Sequence, residues 1–295
     1  MVLRMEDHKL YKSATAFRRA LEDRLKAIAG GNMDLPRLRK SVAFERLLAR
    51  FFADTGSAWL LKGGYALEIR YRKSSRSTKD MDFTLPRALM LPGANNADPA
   101  AIHAAIDALA VKDLGDWFEF RVGVEAQELA GAPYGGYRFP VEAVVDKRRF
   151  STFHFDVGVG DAVTGAPEWV LGHDMLSFAG IPPAKIALLP KEQHFAEKIH
   201  AYTFPRGDIP NSRTRDLVDM VILIQKGISK RETLEALKAT FHRRGTHAIP
   251  KALEYPPDNW ELPFKNLADD VGLEPRAMGA AFAVVTAFWN ELFKE

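Results

Sequence analysis

The chain has 295 residues, of which 47% are hydrophobic and 27% charged, and a formal net charge of +3. These values are typical of a globular protein that is long enough for two domains. The absence of cysteine excludes disulfide bonds and thiolate zinc sites, and it fits a reducing cytoplasm. No run of about 18 apolar residues is present, and the first residues are too polar for a signal peptide. We therefore expect a cytoplasmic protein without a membrane span.

Hydrophobic periodicity predicts the elements of the first half of the chain. Two amphipathic helices are predicted at 8–29 and 36–54. A short strand at 58–62 ends in Lys-Gly-Gly and leads into a helix at 65–71, and a second strand follows at 81–85. Further predicted elements are a helix at 100–112 and strands at 117–125, 137–146 and 151–158. The strands together indicate a mixed sheet.

The remaining residues are predicted to be mainly helical. The clearest helices are at 192–204 and 213–225, and an apolar helix at 275–293 ends the chain. A Pro-rich segment at 249–263 is expected to connect helices as an extended loop. The predicted fold class is α/β (α+β), with a central mixed sheet, N-terminal helices and a larger helical C-terminal part. We expect two domains, 1–165 and 166–295.

Two patterns close together in the sequence indicate phosphate and metal chemistry. Gly63 and Gly64 lack a Cβ, so the backbone can turn sharply there and present N–H groups to a phosphate. Asp80 and Asp82 are two positions apart on or beside a strand, so both carboxylates point to one side. Such a pair can hold Mg²⁺ against the same phosphates. A hairpin with a charged loop is the alternative interpretation.

These motifs resemble those of the AbiEii-like nucleotidyltransferase toxins of type IV toxin–antitoxin systems, within the polymerase-β-like nucleotidyltransferase superfamily. The resemblance rests on Lys-Gly-Gly-x-Ala-Leu at 62–67, Arg-x-Thr-x-Asp-x-Asp at 76–82, Glu197-Lys198, and the segment 215–219. It extends over roughly residues 55–225, which is most of the chain. One departure is Tyr65, because many relatives have Ser or Thr directly after the glycines. The departure removes a hydroxyl contact but leaves the backbone cradle.

The resemblance implies a nucleotidyltransferase fold, an NTP substrate, and Mg²⁺ (or Mn²⁺) as cofactor. The implied metal ligands are Asp80, Asp82 and Asp156. The implied nucleotide-binding residues are Lys62, Gly63, Gly64, Arg76, Thr78 and Lys198. The implied catalytic residues are the three metal ligands together with Lys198, Asp216 and Asp219.

The third carboxylate is chosen from an alternating segment. Phe153, Phe155 and Val157 are expected on one face of a strand, and His154 and Asp156 on the other. Asp161 is the weaker alternative because it follows glycines and resembles a turn residue, and Asp156 itself has the alternative of an exposed edge residue. His154 is expected on the strand face or the acceptor side, since hard Mg²⁺ favours oxygen ligands.

Two predicted helices carry the remaining candidates. Lys198 is expected near the border of an apolar helix face, where it can contact substrate phosphates; a solvated lysine is the alternative. Asp216 and Asp219 are three positions apart and share a helix face. One of them is expected to orient Lys198 or the nucleotide, and the sequence leaves open which.

The implied activity is that of a toxin that adds nucleotides from an NTP to RNA, at the 3′ end of tRNA, and so blocks translation. Four basic stretches are consistent with an RNA groove: 37–50, 70–79, 147–149 and 242–244. Nucleotidylation of a protein or small molecule, or a non-catalytic partner-binding module, are the alternatives. An antitoxin protein is the expected partner, acting by binding or by phosphorylation at Ser75, Ser77 or Thr78.

Overall fold

The computed structural model describes residues 10–30, 34–54, 56–72, 78, 80–85 and 96–294. The helices are α1 (Ala14–Ala29), α2 (Leu35–Phe51), α3 (Gly63–Tyr71), α4 (Pro99–Ala110), α5 (Lys191–Thr203), α6 (Thr214–Gln225), α7 (Lys230–Arg244), α8 (Glu261–Val271) and α9 (Met278–Leu292). The strands are β1 (Leu60–Lys62), β2 (Met81–Leu85), β3 (Phe118–Val122), β4 (Gln127–Leu129), β5 (Gly136–Val145), β6 (Arg148–Val159), β7 (Glu168–Leu171) and β8 (Lys185–Leu188). Within this described part, no helix is long and apolar enough to cross a membrane.

The strands form one mixed sheet in the order β3-β5-β6-β2-β1-β8-β7, and β4 pairs with β5. β2 is parallel to β6, and β1 is parallel to β8. The other pairs are antiparallel. The predicted α/β class with a central mixed sheet is therefore confirmed.

Local sequence signals set the ends of several helices. The Ser13 hydroxyl accepts a hydrogen bond from the Ala16 N–H at 3.2 Å, so α1 begins at Ala14 rather than at residue 8. α3 begins at Gly63 instead of residue 65, because Gly63 has a φ of +67° that completes the turn from β1. The glycine turn and the helix N-terminus are therefore one feature.

The chain is mainly helical after residue 165, as predicted, but the two short strands β7 and β8 were not predicted. β8 is a short buried strand whose Leu188 lies beside Leu61 of β1, and β7 pairs with β8 at the sheet edge. Four-residue runs carry too little periodicity to distinguish a strand from a buried helix segment. Their partner in the sheet also lies far away in the sequence, so local patterns cannot reveal the pairing.

Two apolar cores stabilise the molecule. The first lies between the sheet and the N-terminal helices, and includes Phe83 and Phe155, whose rings stack with centroids 4.4 Å apart. The second is formed by α5 to α9 and includes Phe195 and the predicted C-terminal stripe around Val285. The predicted domain boundary between residues 165 and 166 stays a prediction. Because β7 and β8 belong to the sheet, we propose a boundary near Pro190 instead.

A buried ion-pair cluster ties α2 to the segment before β3. Asp116 is 1% exposed and accepts hydrogen bonds from Arg46 at 2.7 Å and from Arg50 at 2.8 Å through both carboxylate oxygens. Burial opposes ionisation of Asp116, but the hydrogen bonds from Arg50 and the charge of Arg46 outweigh it and lower the pKa of Asp116. Two arginines of the basic stretch 37–50 therefore have a structural role inside the protein.

We expect Asp116→Ala to reduce the free energy of unfolding by about 3–5 kcal/mol, since two buried guanidinium groups would lose their carboxylate. Urea denaturation measures this change. Because the folded-state pKa of Asp116 is lowered, its contribution should be full above pH ~4 and be lost as the pH falls through the folded-state value.

Asp54→Ala is the matched control. Asp54 also pairs with a basic residue, Lys112, at 2.6 Å, but its side chain is 79% exposed. Removing an exposed pair should change the free energy of unfolding by about 1 kcal/mol or less. Equal effects of the two substitutions would show that burial of the Asp116 cluster does not determine its contribution.

Candidate active site

Four charged side chains form a row across the centre of the sheet. Lys62 of β1 lies opposite Asp82 of β2, Asp82 lies beside Asp156 of β6, and Asp156 lies opposite Arg138 of β5. Residues at matching register positions share a face of the sheet, so the four side chains are neighbours. The predicted adjacency of Asp82 and Asp156 is thus present in the structure, while Asp161 lies beyond the end of β6.

The carboxylates of Asp82 and Asp156 repel each other, and both are largely shielded from water. Burial, together with the negative charges of Asp156 and Asp80, raises the pKa of Asp82 to about 7 against the opposing effects of Lys62 and Lys198. Met81 and Phe83, which alternate with the acidic residues, are fully buried on the other face. The site therefore holds more negative charge than its surroundings neutralise.

Arg138 supplies a positive charge to this site. Its Nε and Nη2 atoms donate hydrogen bonds of 2.7 and 2.6 Å to the two carboxylate oxygens of Asp156. Nη2 is also 3.5 Å from a carboxylate oxygen of Asp80, whose side chain is one third exposed. The other carboxylate oxygen of Asp80 lies 3.4 Å from Nδ1 of His154. Arg138 was not among the predicted site residues, because the register that brings it to Asp156 is a property of strand pairing.

The donor set suits a hard divalent cation such as Mg²⁺ or Mn²⁺, since Asp80, Asp82 and Asp156 offer carboxylate oxygens. In the described residues, no group of three His, Cys, Asp or Glu side chains is already arranged to hold a metal ion. The fork of Arg138 explains this arrangement, because it engages both oxygens of Asp156. The three carboxylates fit a divalent cation once Arg138 has moved away.

The glycine turn borders the same carboxylates. A Cβ added to Gly63 would lie 2.0 Å from Oδ2 of Asp82, so only glycine allows this close approach. α3 starts here without a side-chain cap, and its first N–H groups remain available to an anion. Tyr65 is buried and donates its hydroxyl to Glu45 at 3.2 Å, so the hydroxyl lies in the core, away from the turn.

Lys62 belongs to a network that joins the sheet to the helical part. Its Nζ donates to Asp161 at 2.6 Å and to Glu197 of α5 at 3.2 Å, and Arg244 of α7 donates to Asp161 at 2.8 Å. Burial opposes the charge on Lys62, yet the two carboxylates raise the pKa of Lys62 above its ordinary value. Arg244 therefore belongs to an internal ion pair, contrary to the expectation of a basic surface at 242–244.

Lys198 lies on the far side of the same space. Its Nζ donates to Asp219 at 2.6 Å and to Asp216 at 3.0 Å, and its side chain is only 7% exposed. Asp219 is fully buried, whereas Asp216 lines the open space and lies 3.7 Å from Arg213. The structure thus gives different positions to the two acids that the sequence left equivalent: Asp219 is buried, and Asp216 lines the cavity.

One cavity of about 350 Å³ connects these elements. Its walls include Lys62, Gly63, Gly64, Asp82, Asp156, Lys198 and Asp216. Arg76, Ser75 and Ser77 lie outside the described residues. Thr78 is described, and its hydroxyl donates to the Asp80 carbonyl at 3.4 Å. Most of the predicted site residues therefore surround a single space.

We expect Gly63→Ala to weaken Mn²⁺ binding by about 10- to 100-fold, because the new methyl group displaces the Asp82 carboxylate. Titration calorimetry measures the affinity, and circular dichroism verifies the fold. Gly272→Ala is the matched control, since Gly272 has a similar φ of +63° and a Cβ there meets no atom within 4 Å. Unchanged Mn²⁺ affinity in Gly63→Ala would show that the close approach does not position Asp82 for a metal.

We expect Arg138→Gln to tighten Mn²⁺ binding about tenfold or more, because a guanidinium at contact distance repels a cation that shares its carboxylate. The metal-free variant should also melt at a lower temperature and regain stability when Mn²⁺ is added. Arg121→Gln is the matched control, since Arg121 pairs with Glu142 on the neighbouring strand. Equal Mn²⁺ affinity in the Arg138 variant and the unchanged protein would contradict this competition.

Comparisons with known proteins show the family of this chain. The family described as Nucleotidyl transferase AbiEii toxin, Type IV TA system, matches residues 46–284. Among solved structures, the chain is similar to MenT4, the nucleotidyltransferase toxin Rv2826c from Mycobacterium tuberculosis H37Rv, with a TM-score of 0.59, 17% identity, and coverage of 94% of this chain and 90% of MenT4. This likeness shows the fold, and no curated protein matches significantly. Because the family match spans most of the chain, the protein belongs to the AbiEii nucleotidyltransferase toxins of type IV toxin–antitoxin systems.

Proposed function

We propose that this protein uses Mg²⁺ to transfer nucleotides from an NTP to RNA, at the 3′ end of tRNA, and thereby blocks translation. The observation that supports the chemistry best is the register of Asp82 beside Asp156, next to the uncapped N-terminus of α3. A carboxylate pair and free backbone N–H groups in one cavity suit a triphosphate with its cation. Family membership implies an NTP substrate and an antitoxin partner.

The proposed reaction is a displacement at the α-phosphorus of the NTP. The 3′-hydroxyl oxygen of the RNA forms a new bond to this phosphorus, the bond to the bridging oxygen of the β-phosphate breaks, and pyrophosphate leaves. The hydroxyl proton passes to a neighbouring carboxylate, for which Asp156 is positioned. A divalent cation, when bound, would neutralise charge on the phosphate oxygens. Asp80 and Asp82, with Asp156, would hold it.

The chain's own residues bind and orient the triphosphate. The N–H groups at Gly63 and Gly64 face the cavity, and Lys198 presents its ammonium group from the opposite wall. Asp219 holds Lys198 in this direction through its 2.6 Å contact. A phosphate that approaches Lys198 competes with the contact from Asp216, which is the more exposed acid. This exchange gives Asp216 a role in nucleotide binding.

Fewer basic residues are exposed for binding an RNA acceptor than the sequence indicated. Several arginines of the predicted basic stretches are engaged inside the protein: Arg46, Arg50, Arg70 and Arg244. The segment Lys147–Arg149 is exposed and lies on the hairpin between β5 and β6. An acceptor with phosphate groups is favoured by this exposed positive charge.

The first experiment is incubation of purified protein with total tRNA, Mg²⁺ and each labelled NTP separately. We expect label on tRNA from one NTP. Asp80→Ala should reduce the transfer by about 1000-fold or more, by analogy with the loss of a principal charge-stabilising group, while the protein keeps its fold. Asp54→Ala, an exposed aspartate outside the site, should transfer at the ordinary rate.

Three results would redirect the assignment. Label on a protein band in place of RNA would favour nucleotidylation of a protein. Full transfer by a folded Asp80→Ala protein would refute the placement of the reaction at this carboxylate. A folded protein that binds Mn²⁺ and NTP but transfers label to neither RNA nor protein would favour a small-molecule acceptor.

A further inference from the structure

A second concave surface lies on the open face of the sheet, near the cavity. We call it the sheet-face groove, and it has a volume of about 570 Å³. Its floor includes Thr152 and His154 of β6 and Pro140 of β5, all of which are exposed. Its rim carries the side chains of Lys40, Arg121, Glu142 and Arg149. None of these groups has a role in the chemistry described so far.

The cavity and the sheet-face groove lie on opposite sides of the carboxylates. Along β6, His154 and Thr152 precede Asp156 and line the groove, whereas Gly158 follows Asp156 and lines the cavity. Along the antiparallel β5, Pro140 lines the groove and Gly136 lines the cavity, with Arg138 between them. The two spaces therefore follow one another along the same strands, and Asp156 and Arg138 separate them.

This order matters for a displacement at phosphorus. The attacking oxygen and the leaving oxygen lie roughly in line, on opposite sides of the phosphorus atom. The triphosphate is placed in the cavity by Gly63, Gly64 and Lys198, so pyrophosphate leaves on the cavity side. The attacking hydroxyl then has to arrive from the opposite side, where His154 lies 3.4 Å from Asp80 and the groove begins.

We infer that the sheet-face groove receives the single-stranded 3′ end of the RNA acceptor, an inference that rests on the proposed transfer to RNA. The floor runs about 13 Å from Asp156 to Thr152, at the usual rise of a strand. At its start, the imidazole of His154 and the ring of Pro140 are paired in register and both exposed. The flat imidazole offers a stacking surface to an unpaired base, and the apolar ring of Pro140 extends the surface beside it.

The charges on the rim suit a phosphate backbone. Glu142 accepts hydrogen bonds from Arg149 at 2.6 Å and from Arg121 at 3.2 Å, so one carboxylate is shared by two guanidinium groups. Their side chains remain 66% and 72% exposed for Arg121 and Arg149, respectively. With Lys40, the rim keeps a positive excess, and both arginines can turn to phosphates without leaving a buried site.

The test compares the double variant Arg121→Ala/Arg149→Ala with the unchanged protein. We expect the KM for RNA to rise about tenfold or more, with kcat and the KM for NTP changed less than about twofold. The dependence of the logarithm of KM for RNA on the logarithm of salt concentration should become shallower by about 1.4 for two lost phosphate contacts. Both arginines are exposed, so the fold should persist.

The matched control is Lys230→Ala/Arg276→Ala. This variant loses the same two charges, also from exposed ion pairs, but on α7 and just before α9, away from the groove. We expect its KM for RNA to match that of the unchanged protein. An equal rise in both double variants would show a general charge effect and would overturn the inference.

These measurements distinguish a failure of the groove assignment from a failure of the proposed function. RNA transfer with an unchanged KM for RNA in the groove variant would overturn the groove and leave the proposed function intact. Label on protein with none on RNA would overturn both. As a readout that does not require turnover, RNA with a photoreactive last base should crosslink to peptides that contain residues 138–154. Crosslinks confined to α6 and α7 would place the acceptor on the helical side and refute the groove.

Discussion

The pairing of β2 with β6 places Asp82 directly beside Asp156. The other charged side chains of the site are arranged around these two carboxylates. Two carboxylates on neighbouring strands repel each other, and burial raises the pKa of Asp82 to about 7. The sheet supplies a basic residue on each side, Lys62 opposite Asp82 and Arg138 opposite Asp156. The charges along this row are therefore positive, negative, negative and positive, and the two outer cations offset the repulsion between the two acids.

The helical part of the chain is joined to the sheet by the same electrostatics. Lys62 bonds to Glu197 of α5, and Arg244 of α7 bonds to Asp161 at the end of β6. These contacts hold α5 and α7 against the sheet, beside the cavity that Lys198 and Asp216 line. A change in the packing of the second core would therefore alter the nucleotide site as well as the stability of the helices.

The sequence predicted features that depend on local pattern. The strand Met81–Leu85, its alternation of acidic and apolar residues, and the buried stripe of α9 all follow from periods of two or 3.6 residues. Arg138 and the ion pair between Asp161 and Arg244 could not be predicted in the same way, because only strand register and helix packing bring these side chains to the site. The exposed basic stretches were overestimated for the same reason, since the buried partner of Arg46 and Arg50 is Asp116, which is distant in sequence.

The pairing of every cation in the site has a consequence for substrate binding. A metal ion has to replace Arg138 at Asp156, and a phosphate has to replace Asp216 at Lys198. An NTP and its metal ion solve both problems together, because the metal takes the carboxylates while the phosphates accept the displaced cations. Either ligand alone breaks one of these close ion pairs without supplying the opposite charge, so that Arg138 keeps only Asp80 at 3.5 Å or Asp216 keeps only Arg213 at 3.7 Å, which costs free energy. If the proposed function holds, we therefore expect the site to bind the metal–nucleotide complex more tightly than its separate parts.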